Sequence, residues 1–236
     1  MSIRLRPVPI VKMLAVSLVT AWCIVFLFEN VSASPWGMAI LVHIPQFIIS
    51  FTVILYVSHC QPSSYGFNLR EDPPEFTHRR MLWLGLISGL LMSLQYLINI
   101  VRGLPLSIPK PISPFDVFGN LVFQWIIVGL SEETMFRGLI QTYLMKNLEG
   151  YLEIHGIRLH VGTVIAAIFW GGFHIINYLN MPFGSAVLSV LVTIPIGLLM
   201  GYAYQRTGSL LTTILVHNCL FGVHLTVGYI LFFIGF

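Results

Sequence analysis

Glu132, Glu133 and Arg137 are the only charges between Asp116 and Lys146, inside an apolar run from Phe115 to Leu148. Two imidazoles follow in later apolar runs. His174 stands in IFWGGFHIINY and His217 in LLTTILVHNCL, with Asn218 directly after it. A charge near the bilayer centre costs roughly 2.5–3.5 kcal/mol on insertion scales. Three would cost about 9 kcal/mol uncompensated, so such residues face a protein interior or a wet cavity and by default mark function. A desolvated glutamate can act as a general base near neutral pH. One histidine can hold or polarise a water, and a second, with an amide, can stabilise an oxyanion. That set hydrolyses a peptide bond through an activated water. Two histidines and a carboxylate also suit Zn²⁺ with one open position.

Helical spacing sorts these groups. Each residue advances about 100° around a helix. Glu133 and Arg137, four apart, share a face and pair. Glu132 points elsewhere and needs another partner, for which His174 and His217 are the candidates. The Glu133–Arg137 pair also has a purely structural reading, as a bridge within one helix or a lock between two. Gly171 and Gly172 precede His174 and predict close packing of that turn on the fourth helix, because small residues let membrane helices approach. His43, His59 and His224 read as histidines bonded to a neighbouring carbonyl or hydroxyl.

The elements that position these side chains are membrane helices. Of 236 residues, 56% are hydrophobic and 9% charged, against about 25% charged in a soluble domain. The mean hydropathy is +0.85. The apolar runs are about 20 residues long, the length of a spanning helix and about twice that of a barrel strand. The expected fold is an all-α polytopic bundle with about seven spans, near 11–28, 37–58, 81–101, 115–147, 161–179, 185–205 and 211–236. The fourth would run about 50 Å as one helix, so it must tilt, break or project. Segment 61–80 is a polar loop. The connector Gly103–Pro114, with Pro105, Pro109, Pro111 and Pro114, separates peripheral helices (1–114) from a catalytic helical core (115–236). No Lys/Arg cluster points to nucleic acid. Cys23, Cys60 and Cys219 lack metal-knuckle spacing and read as small buried hydrophobes.

Lys and Arg set the orientation. With seven spans, Arg4, Arg6, Lys12, Arg70, Arg79, Arg80, Lys146, Arg158 and Arg206 fall on one side, and Arg102 and Lys110 on the other. The N-terminus is therefore expected in the cytoplasm and the C-terminus outside, most simply in a cell (inner) membrane. Basic residues, the run Met13–Phe28 and VSAS also resemble a secretory signal. A retained first helix is the favoured reading, and cleavage would leave six spans.

Glu-Glu-x-x-x-Arg, then His after a Phe/Trp-rich helix, then a further helix with His, resembles the CPBP family of intramembrane proteases. That family includes the type II CAAX prenyl endopeptidases and the bacterial Abi proteins linked to bacteriocin self-immunity. The resemblance covers about Asp116 to Phe221, and SEETMFRGLIQ is its closest stretch. The second motif, Phe-x-x-x-His, has Trp170 in its first place. The third puts Asn four after His, where Phe221 stands, while Asn218 comes one after. The resemblance implies a helical bundle with a site opening to the cytoplasm and no metal cofactor. It implies that Glu132 and His174 activate water, that His217 stabilises the oxyanion, and that Glu133 and Arg137 hold the geometry.

Three functions fit these residues. The first is an endopeptidase acting on a membrane-associated protein or peptide. The second is a non-enzymatic immunity or scaffold protein that keeps the fold. The third is a proton-coupled transporter, since intramembrane Glu, Arg and His also serve proton relays. No internal repeat of the transporter kind is visible.

Overall fold

The computed structural model describes residues 6–31, 33–106, 108–109, 113–179 and 182–236. Arg4, Ser32, Lys110 and Pro111, used above, lie outside the described residues. Among the described residues the main helices are seven: α1 (Pro7–Asn30), α2 (Pro35–Val57), α3 (His78–Val101), α4 (Pro114–Asn147), α5 (Val161–Phe173), α6 (Phe183–Thr207) and α7 (Leu210–Phe233). Six are long and apolar enough to cross a membrane, and α5 is the shorter one. The expected fifth span is thus α5 plus a 3₁₀ extension, His174–Leu179. A hairpin, β1 (Tyr151–Ile154) paired antiparallel with β2 (Ile157–His160), joins α4 to α5. The chain is an integral membrane protein with an all-α bundle.

Local sequence starts the helices as expected. Pro7, Pro35 and Pro114 open α1, α2 and α4, where a missing N–H costs nothing. Ser34, Thr77 and Ser113 cap α2, α3 and α4 by accepting from Gly37, Arg80 and Asp116 backbone N–H groups. Gly208, at φ 63°, stops α6 in a left-handed turn.

α4 neither breaks nor runs straight. It is continuous, with two π-helical stretches, Phe123–Ile127 and Thr134–Gln141. Each leaves wide turns with carbonyls to satisfy. The Asn218 side chain bridges the end of the first, accepting from Gly129 N–H at 2.8 Å and donating to Ile126 O at 3.2 Å. Thr142 Oγ1 donates to Arg137 O, five residues back, in the second. This second stretch begins directly after Glu133, so the acid pair sits at the change of winding.

Successive helices run in alternating directions, which gives the bundle two unlike ends. At one end Arg6 pairs with Glu149 at 3.5 Å. There too Lys146 donates to Ser64 O at 3.0 Å, and Asn68 donates to Gly208 O at 2.8 Å. The basic residues of the α1 start, the 61–80 loop, the α4 end, the hairpin and the α6 end therefore gather together. The opposite end holds the α1 and α5 C-termini and the α2 and α4 N-termini. There Trp36 Nε1 donates to Asp116 at 3.1 Å, a tie between α2 and α4. Cys60 is exposed in the basic-end loop, contrary to its expected burial, because α2 stops at Val57 and the chain turns out through His59 and Cys60 at positive φ.

Candidate active site

α4 places its two acids in different environments, as the 100° step requires. Glu133 and Arg137 are wholly buried and form an ion pair, Oε2 to Nε at 3.3 Å. Arg137 also lies over the Trp170 ring, 4.5 Å from its centroid. Among the described residues nothing hydrogen-bonds its guanidinium nitrogens. The charge rests on Glu133 and on the ring's π-face.

Glu132 instead reaches a cavity of about 630 Å³. Its side chain is 15% exposed, whereas that of Glu133 is fully buried. Trp170 Nε1 donates to Glu132 Oε2 at 2.7 Å. His43 Nε2 stands 3.4 Å from Glu132 Oε1. His43 and His174 line the same cavity as Glu132, with Gln46 and Asn177. The remaining walls are apolar, including Ile24, Phe28, Met38, Val42 and Phe173.

Hydrogen-bond partners fix how the imidazoles face. His43 Nδ1 meets Ala39 O at 2.9 Å, and His174 Nδ1 meets Trp170 O at 2.9 Å. A carbonyl only accepts, so both Nδ1 atoms carry the proton and both Nε2 atoms are the variable ones. Ser131 Oγ donates to His43 O at 2.9 Å and fixes α2 against α4 one residue before Glu132. The pairing expected for His43 with a backbone carbonyl is present. Its second nitrogen adds Glu132 as a partner.

His217 differs from expectation. Its Nδ1 lies 2.9 Å from Glu133 Oε1, so it joins the buried acid and not Glu132. It is 2% exposed and does not line the cavity. Trp170, which donates to Glu132, packs edge-on against His217 with ring centroids 5.9 Å apart. Glu132 still lies within electrostatic reach of His43, His174 and His217. Both polar atoms of the Asn218 amide are bonded to the α4 backbone, and the Phe221 ring sits 5.2 Å from His217.

Two expectations are corrected here. The zinc alternative at Glu132, His174 and His217 fails on geometry. Among the described residues no three His, Cys, Asp or Glu side chains are grouped to hold a metal. His217 faces Glu133, and the Trp170 N–H occupies one Glu132 oxygen. The Gly171–Gly172 step does not seat α5 on α4. A Cβ at Gly171 would overlap Ile194 of α6, and at Gly172 it would meet nothing within 4 Å.

Sequence reasoning missed His43 as a neighbour of Glu132. The one available signal was the His43-x-x-Gln46 spacing, which places two polar groups on one face of an apolar helix.

The glutamate pair, Arg137, Trp170, His174 and His217 all fall in one matched segment. The family model described as Type II CAAX prenyl endopeptidase Rce1-like matches residues 114–220. No curated protein and no solved structure matches the chain. Residues 114–220 therefore form a domain of the Type II CAAX prenyl endopeptidase Rce1-like family.

Proposed function

We propose that the chain is an intramembrane endopeptidase that hydrolyses a peptide bond of a membrane-associated protein or peptide with water activated by Glu132 and His174. The observation that carries this reading is the placement of the Glu132 carboxylate in an apolar cavity between two imidazoles whose Nδ1 atoms are tied to backbone carbonyls. His174 Nε2 and Glu132 hold the water. Glu132 takes its proton as the hydroxide adds to the scissile carbonyl, then returns it to the leaving amine. His43 Nε2, in the protonated form, donates toward the developing oxyanion, the role the resemblance gives to His217. His217 and the Glu133–Arg137 pair form the layer behind, which keeps α4, α5 and α7 in register. Asn218 acts through α4, holding its first π stretch. The catalytic core spans 115–236, and the 1–114 part supplies His43 and the cavity's outer wall. The N-terminus is cytoplasmic and the C-terminus external, in a cell membrane, supported by the basic residues at one end.

The test is reconstitution of the protein with a panel of membrane-anchored peptides in ¹⁸O-labelled water. Products whose new carboxyl ends carry ¹⁸O are expected. Absence of any product across the panel, with folded protein present, would count against proteolysis.

One observation favours the second reading, a non-enzymatic immunity or scaffold protein. The Asn218 amide serves the α4 backbone and Phe221 occupies the position four after His217. Partner protection that survives Glu132→Ala, with no cleavage, selects that reading.

A further inference from the structure

α3 has two faces of different chemistry. Met81, Gly85, Gly89, Ser93 and Tyr96 are buried, and the helix packs on α7. A Cβ at Gly85 would overlap Cys219, and one at Gly89 would overlap Val223 and the Leu220 carbonyl, so the two backbones lie close. Ser93 Oγ donates to Gly89 O at 2.7 Å, and the Tyr96 ring stacks on His224 with centroids 4.4 Å apart. The polar side chains of this face thus have neighbours within the chain.

Ser88 and Gln95 break that pattern. They are seven residues apart and share a face, about 100° round the helix from the two glycines. Leu84, Leu91 and Ile98 lie on the same side. Positions 84, 88, 91, 95 and 98 alternate in steps of four and three, the spacing of a helix–helix seam. Leu84, Leu91, Gln95 and Ile98 are exposed, and Ser88 is half-buried. Neither Ser88 nor Gln95 hydrogen-bonds another described residue. Arg80 and Arg102 bracket the uncharged stretch Met81–Val101. That stretch is about 32 Å of helix, close to a hydrocarbon core of about 30 Å. Gln95 stands about 10 Å inside the Arg102 end, where lipid offers its amide no hydrogen bond and leaving it bare is costly.

We propose that this face is the contact between two copies of the chain, a parallel α3–α3 pair closed by hydrogen bonds between the two Gln95 amides. Copies inserted in one bilayer share an orientation. A two-fold axis along the membrane normal therefore sets each seam residue opposite its own equivalent at the same depth. A carboxamide carries both donors and an acceptor, so one Gln95 satisfies the other. The Ser88 hydroxyl, two turns away, is self-complementary in the same sense. A polar residue at one seam position sets register and the number of strands, while Leu84, Leu91 and Ile98 supply the packing. No residue of α3 lines the Glu132 cavity, so the contact is independent of the protease reading.

The experiment has two arms. In the first, native membranes are oxidised with copper phenanthroline, using Cys23→Ser/Cys60→Ser protein with one added cysteine on α3. Leu91→Cys and Ile98→Cys report the seam, and Leu90→Cys and Leu97→Cys the other lipid-facing side of α3. A disulfide-linked product of twice the chain mass is expected from the seam variants and not from the other two. In the second arm, protein labelled at the exposed Cys60 is counted by single-molecule photobleaching in liposomes over a range of dilution. Gln95→Leu, which adds apolar surface and removes the amide, should raise the dimer dissociation constant about tenfold. Gln95→Asn, which keeps an amide, should stay closer to wild type. One-step bleaching at every dilution, or a Gln95→Leu dimer as tight as wild type, overturns the proposal. So does equal cross-linking on both sides of α3. A Leu91→Cys adduct of some other mass would give the face to a different partner and overturn it too.

Discussion

Trp170 donates its indole N–H to Glu132 at 2.7 Å, and the same ring carries the Arg137 guanidinium on its face. One side chain of α5 thus orients the carboxylate in the cavity and shields the charge pair behind it. Trp170→Phe keeps the ring and removes the donor. A hydrogen bond to a charged group contributes about 1.5–3 kcal/mol. The expected result is a coupling of that size between Trp170→Phe and Glu132→Leu, which removes the acceptor, in a double-mutant cycle of thermal unfolding in detergent. Additivity within about 0.5 kcal/mol would show that the bond contributes nothing.

Breaking the buried pair is expected to be far more damaging than altering the cavity acid. Arg137→Met leaves Glu133 charged and fully buried beside His217. Removal of one partner from a buried ion pair costs about 3–5 kcal/mol. Membrane accumulation and Tm should both fall. Arg137→Lys should rescue only part of the loss, because an ammonium cannot spread over the Trp170 face as a guanidinium does. Wild-type Tm in Arg137→Met would contradict this assignment.

Asn218→Ala tests whether the amide serves the helix. It would strip Gly129 N–H of its acceptor and free Ile126 O, at about 1–3 kcal/mol for the unsatisfied buried group. Gly129→Ala should mimic it, since a Cβ there overlaps the Asn218 side chain. Faster hydrogen exchange confined to α4 around 123–130 is the expected signature in both variants. Unchanged exchange in that stretch would remove the bridging role.

The hairpin junction should respond to pH. His160 caps α5 by accepting from Gly162 N–H through Nδ1, which requires the neutral ring. Burial pushes its imidazole below the ordinary range, against a weaker opposing hydrogen bond with the Leu148 backbone. The unfolded chain then takes up a proton at a higher pH than the folded one. The contribution is full above about pH 6.5 and is lost as pH falls toward the folded value. Hydrogen exchange of 151–163 should quicken between about pH 7.5 and 5.5. His160→Asn, which still caps, should flatten that response.

Much of this architecture could be read from the chain because its cause is local. Each spanning helix is a run of apolar residues with a Pro or Ser/Thr start, and observed ends fall within a few residues of the expected ones. The 100° step also separated Glu133, paired with Arg137, from Glu132. What escaped depends on other helices. The π stretches of α4 are completed by Asn218 of α7 and a back-bond from Thr142. The partner of His217 was decided by how α7 docks on α4, and that of His43 by the docking of α2 through Ser131.

The central claim, that Glu132 performs the proton transfer of a hydrolysis, is most directly tested by Glu132→Gln in reconstituted membranes. The substitution keeps size and both hydrogen-bonding positions, so Tm should match wild type. The cleavage rate should fall by about 10²–10⁴-fold, the usual contribution of a general base. A folded Glu132→Gln protein that cleaves at a rate close to wild type would contradict the account.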